Sequence, residues 1–170
     1  TIIDLGGHLF CRIFAPQNID EMNKPIIYQV LPRLWGNNSK NPVENGSLEE
    51  NGTGKFSDID SRTLEYLSWL GCSHVWYTGI LRHSTQSSED GCIPSHPQFV
   101  KGKAGSPYAI CDYYDVNAYL ADNPSDRMGE FEQLINRTHK AGLKVIIDFV
   151  PNHVSRDYGK SGLIPEHPIL

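Results

Sequence analysis

Residues Gly142-Leu143-Lys144-Val145-Ile146-Ile147-Asp148-Phe149-Val150-Pro151-Asn152-His153-Val154 leave this chain few options. Gly142 is a helix stop that follows a cationic turn. The β-branched apolar run after it has the composition of a buried strand. Pro151 cannot donate to a ladder, so the strand ends before it. Asp148, Asn152 and His153 are thereby gathered where the strand runs out. An acid, an amide and an imidazole at the carboxyl end of a buried parallel strand stand where α/β enzymes carry out their chemistry.

The segments upstream repeat one order. Pro25-Ile26-Ile27-Tyr28-Gln29-Val30-Leu31, closed by Pro32, predicts a strand buried on both faces. Asp58-Ile59-Asp60-Ser61 supplies helix caps, Leu64, Leu67 and Leu70 recur at helical spacing, and Gly71 stops the helix. His74-Val75-Trp76-Tyr77-Thr78 predicts the second strand. Ser125 or Asp126 caps a second helix whose buried stripe is Phe131, Leu134 and Ile135. Its Glu130 and Glu132 lie toward the positive end, and Arg137, His139 and Lys140 toward the negative end. An initial strand followed by two helix-to-strand units predicts an α/β fold with a parallel sheet and right-handed crossovers. Two polar connections interrupt it. Arg33 to Lys55 predicts a surface loop, and Gly79 to Pro124 is long enough to be functional. Leu9-Phe10-Cys11-Arg12-Ile13-Phe14 suggests one short strand, and Pro16 to Lys24 a linker.

With a net charge of −5 over 170 residues, neither nucleic acid nor an anionic membrane is an expected partner. No apolar run approaches the roughly 20 residues that span a bilayer. The first residues lack a signal-peptide pattern, which leans toward the cytoplasm but leaves open a leader removed earlier. The four cysteines, Cys11, Cys72, Cys92 and Cys111, form no CxxC and argue against zinc. Cys72 reads as a small core residue. A Cys92–Cys111 disulfide is open if the protein is exported.

At the strand end, alternation places Asp148 on the same face as Ile146. Asp148 can orient neighbouring donors. Asn152 offers a carbonyl to a hard cation, and His153 can donate to a sugar hydroxyl or a developing charge. Taken one at a time, such an Asp is as readily a loop cap and such a His a satisfied side chain.

In combination these segments resemble the α-amylase family of glycoside hydrolases. Ile26-Ile27-Tyr28-Gln29-Val30 looks like that family's first barrel strand. Gly54-Lys55-Phe56-Ser57-Asp58-Ile59 and Leu67-Ser68-Trp69-Leu70-Gly71 look like its first helix and lead-in. His74 to Ile80 looks like the second strand. Tyr108 to Asn117 resembles the Tyr-x-x-x-Asp-Tyr segment, and Val145 to His153 resembles the Asp-x-x-x-Asn-His region. The resemblance implies a partial (β/α)8 TIM-type barrel, comprising about the first three strands and their helices. The implied substrate is an α-glucan or oligosaccharide. Tyr108 would stack under the sugar at the cleavage point, since a ring face suits the apolar face of a pyranose. His153 would hydrogen-bond that sugar. Asp148 and Asp112 would be supporting residues, and Asn152 would be a ligand to calcium, the only cofactor implied.

Two positions depart from the pattern: Pro107 stands where many relatives have Gly, and Gly79-Ile80-Leu81-Arg82-His83 replaces a proline-containing turn. In the family, retaining hydrolysis or transfer uses two carboxylates on later strands, so no catalytic residue is expected within this chain. A whole barrel takes about 250 residues. The expected layout is an N-terminal segment over 1–24, barrel over 25–155, and the start of a further loop over 156–170, with the remainder of its own barrel as partner. An isolated chain of this kind is expected to be poorly stable or to self-associate. Two other readings stand beside this one. The first is a non-catalytic amylase-like interaction domain. The second is a metal-dependent hydrolase on another α/β fold, using His153 with His83, His96 or Asp148.

Overall fold

A computed structural model describes residues 24–88 and 93–159 of the chain. The expected strand over Leu9–Phe14, the 1–24 segment up to residue 23, Cys11, Cys92 and residues 160–170 lie outside the described residues.

Strands β1 (Ile27–Val30), β2 (His74–Tyr77) and β5 (Lys144–Ile147) form a parallel sheet in the order β1-β2-β5. Helix α2 (Ser61–Trp69) connects β1 to β2, and α3 (Arg127–Lys140) precedes β5. The Asp60 carboxylate caps α2 by accepting from the Thr63 N–H at 2.8 Å. The α2 stripe buries Leu64 and Leu67, whereas Leu70 is exposed. In α3, Phe131 and Leu134 are buried and Ile135 packs against the core. Asp126 takes the N-cap position without a side-chain bond, and Glu130 reaches back to the N–H groups of Asp122 and Asn123 at 2.8 and 2.7 Å.

Register pairs Tyr28 with Val75 and Val30 with Tyr77, and Val75 with Val145 and Tyr77 with Ile147. This face packs under the helices, where Val75 and Tyr77 are fully buried. The Tyr77 hydroxyl bonds to Thr138 Oγ1 of α3 at 2.7 Å, anchoring sheet to helix. The opposite face carries Ile27, Gln29, His74, Trp76 and Ile146 and is less covered among the described residues. The expectation that β1 is buried on both faces is therefore corrected. Ile27 is 46% exposed and only Val30 is buried, because among the described residues β1 is an edge strand with helices on one side. β5 is likewise a half-buried edge strand rather than a fully buried one.

Two connections hold more structure than their composition suggested. Between residues 33 and 55 a short helix, α1 (Leu48–Asn51), starts from a capping box of Ser47 and Glu50. Asn51 clasps the Val43 backbone, accepting from its N–H at 2.7 Å and donating to its carbonyl at 2.8 Å. Within the stretch read as one long loop, β3 (Leu81–His83) and β4 (Ile110–Val116) form an antiparallel hairpin with register irregularities at Arg82. No closed sheet occurs among the described residues. None of the described helices is long and apolar enough to cross a membrane.

Candidate functional site

Asp148 directly follows β5, and the register of β2 with β5 sets Trp76 opposite Ile146. Side chains two apart share a face, so Asp148 stands beside the indole and accepts from Trp76 Nε1–H. The carboxylate is thus an oriented acceptor, half-buried at the sheet's carboxyl edge. The turn Pro151–Asn152 follows, and Asn152 and His153 are both exposed. The Asn152 side-chain oxygen lies against His153 Nδ1.

Tyr108 enters from a separate element, the turn before β4. Its N–H donates to Ser106 Oγ at 3.3 Å, and its ring is 47% exposed. Pro107, the departure noted in the sequence, rests over Gly79. A Cβ at Gly79 would lie 3.0 Å from Pro107 Cβ, and Gly79 has a φ of 76°. The two unusual positions therefore fit one another: a left-handed glycine makes room for the proline that precedes Tyr108.

The loop after β5 runs along the start of β4. Ser155 N–H donates to the Ile110 carbonyl at 2.7 Å and Gly159 N–H to the Cys111 carbonyl at 3.2 Å. Tyr108 and His153 thus each precede by two residues the partners of one backbone hydrogen bond, and the exposed edge along that seam forms a rim. Asp112 is not on that rim surface. It is buried in β4, where its carboxylate accepts from the Tyr114 N–H at 2.8 Å.

Sequence reasoning missed the groups that hold these pieces. Asp115 accepts from Arg127 at 2.7 and 2.9 Å and from Arg82 at 3.4 Å, all three being largely buried. His83 is buried in the hairpin, its Nδ1 facing Asn117 Nδ2 at 2.9 Å and its Nε2 facing Tyr119 Oη at 2.9 Å and the Ala104 carbonyl at 3.2 Å. Burial, aided by the Arg33 charge, lowers its pKa to about 4. Burial and the neighbouring Tyr158 raise the Tyr113 phenol. A cavity of about 60 Å³, enough for a few waters, borders Arg82, His83, Ser84 and Asp157.

Metal chemistry finds little support in the donors. Calcium takes six to eight oxygens. The described residues bring the Asn152 amide oxygen, which faces His153, and by themselves do not fit that ion. His83 is committed inside the hairpin, and among the described residues no three His, Cys, Asp or Glu gather to hold a metal.

A family model for the alpha amylase catalytic domain matches residues 29–161. Among curated proteins, the chain is 24% identical over 151 residues to the amino acid transporter heavy chain SLC3A1 of Mus musculus, covering 89% of this chain and 17% of that protein. It is 27% identical over 135 residues to the trehalose-6-phosphate hydrolase of Bacillus subtilis, covering 79% and 18% respectively. Among solved structures, an alpha-amylase from Lactobacillus plantarum superposes with a TM-score of 0.55 at 26% identity, covering 81% of this chain and 25% of that one. The chain thus spans under a fifth of the length of these curated relatives.

Proposed function

Because the chain belongs to the alpha-amylase catalytic-domain family, we propose that it forms the N-terminal part of a (β/α)8 barrel that cleaves or transfers α-glucosidic bonds. The rim supports this reading: Tyr108 and His153 each precede by two residues the partners of one backbone bond, and Asp148, at the end of β5, is fixed by Trp76. Relatives named trehalose-6-phosphate hydrolase, alpha-glucosidase and cyclomaltodextrin glucanotransferase act on such bonds by name.

In this reading the exposed Tyr108 ring is the apolar platform for a pyranose face. The His153 imidazole, whose Nδ1–H is accepted by the Asn152 side-chain oxygen, offers Nε2 as an acceptor to a hydroxyl of the same sugar, with Asn152 setting its ring orientation. Asp148 holds the strand end through the indole, and Asp112 braces the backbone of β4 at Tyr114. The nucleophile and the acid/base belong to later strands of the same barrel, consistent with a retaining mechanism through two carboxylates.

The test is the full-length protein assayed on maltooligosaccharides, an α-1,6-linked glucan and trehalose. Turnover of at least one is expected, with Tyr108→Ala and His153→Ala each lowering kcat/KM tenfold or more, about 1.4 kcal/mol of transition-state stabilisation. A second reading is favoured by the relative named amino acid transporter heavy chain: an amylase-like domain that serves as a protein partner. Absence of turnover on every α-glucoside, together with a transport subunit bound stoichiometrically, decides for it.

A further inference from the structure

We propose that the β3–β4 hairpin straps down the loop that carries Asn152 and His153, and that Ser84 and Tyr113 are its positioning residues. The inference rests on the sugar-binding role of Tyr108 and His153 proposed above.

The loop is fastened on both sides of the exposed pair. Before it, the Tyr113 hydroxyl donates to the Val150 carbonyl. After it, the Ser84 and Ser155 hydroxyls bond to each other, both residues being buried. The backbone bonds of Ser155 to Ile110 and of Gly159 to Cys111 continue the seam. Between these anchors Asn152 and His153 are exposed and contact one another. The direction of the imidazole is therefore set by where the anchors hold the chain.

Ser84 also fixes the other half of the rim. Its N–H donates to the Ala109 carbonyl at 3.0 Å, one residue beyond Tyr108. Its backbone is itself located by a close crossing, since a Cβ at Gly105 would lie 1.8 Å from the Ser84 carbonyl oxygen. One residue thus joins the Tyr108 turn to the His153 loop. Tyr113 adds ring contacts to Phe149 and Tyr158 at centroid distances of 5.5 and 5.9 Å, bracketing the loop at both ends. Small shifts in such anchors matter because a binding group must be held within about 0.5 Å of its working position.

The experiment uses the full-length protein with Ser84→Ala, Ser84→Thr, Tyr113→Phe and, as reference, His153→Ala. Hydrogen exchange is followed at residues 150–159, and kcat and KM are measured separately on the best α-glucoside. Ser84→Ala and Tyr113→Phe should speed exchange at the hydrogen-bonded Ser155, Tyr158 and Gly159 amides by at least tenfold and lower kcat/KM about tenfold, with the folded state retained. Ser84→Thr, which keeps a hydroxyl, should restore most of both. Unchanged exchange in both variants overturns the strap, as does a Thr variant no better than Ala. If exchange rises but kcat/KM stays level while His153→Ala impairs turnover, the positioning role is overturned. If His153→Ala has no effect, the sugar-site reading fails, and the exchange data alone still decide the strap.

Discussion

His83 shows how a single residue ties stability to pH. Inside the hairpin its Nδ1 accepts from Asn117, so the ring proton sits on Nε2 and points toward Tyr119 and Ala104. A second proton would meet the Asn117 amide, a donor, in a buried site with Arg33 nearby as a further cation. The folded pKa of about 4 lies below the ordinary 6.5, so the unfolded chain binds more protons between those values. This contribution is complete above pH 6.5 and is lost as pH falls toward 4, amounting to roughly 3 kcal/mol for the pair of pKa values. Urea titrations at pH 7.5 and pH 4.5 should show a smaller drop in midpoint for His83→Gln than for the parent. Equal drops would mean that His83 does not feel its burial. None of this was legible in the sequence, where His83 looked like an optional metal ligand. Its real partners, Asn117 and Tyr119, lie more than thirty residues away.

At the level of elements, helices were the easiest to read and the hairpin the hardest. Asp60, Leu64 and Leu67 announce α2 through a cap and a periodic stripe, both local signals. β3 is three residues long, and its register shifts at Arg82 break the alternation that marks a strand. Its buried charges also imitate a surface. The Asp115 carboxylate nevertheless joins the end of β4 to the start of α3 through Arg127 and back to β3 through Arg82. Removing it would leave Arg82 buried without its counter-charge, a change that costs about 3–5 kcal/mol in comparable settings. Asp115→Ala should therefore lower the denaturation midpoint of the full-length protein sharply, while Glu65→Ala, at an exposed carboxylate on α2, should shift it far less. Similar losses for the two would show that the buried network contributes no more than a surface charge. The candidate site divides along the same line. Asp148, Asn152 and His153 were legible because a strand end is a local event, whereas Trp76, Ser84 and Tyr113 reach them across the fold.

For the whole molecule, the sheet decides how the chain behaves alone. Its helix-facing side is sealed by Val75, Tyr77 and Leu134, all fully buried. The other side exposes Ile27 and leaves Trp76 and Ile146 half-covered, and among the described residues β1 and β5 each keep one unpaired edge within the parallel sheet. Parallel sheets are ordinarily covered on both faces, and an open strand edge beside apolar surface is a template for another chain. The barrel reading gives that surface a partner, namely later strands of the same polypeptide. A polypeptide restricted to these 170 residues should therefore self-associate, running above its monomer mass in sedimentation and binding a hydrophobic dye, whereas the full-length protein should be monodisperse and bind little. A monomeric 170-residue polypeptide with one cooperative thermal transition would mean that the exposed face needs no further strands, and would remove the physical ground for placing it in a larger barrel.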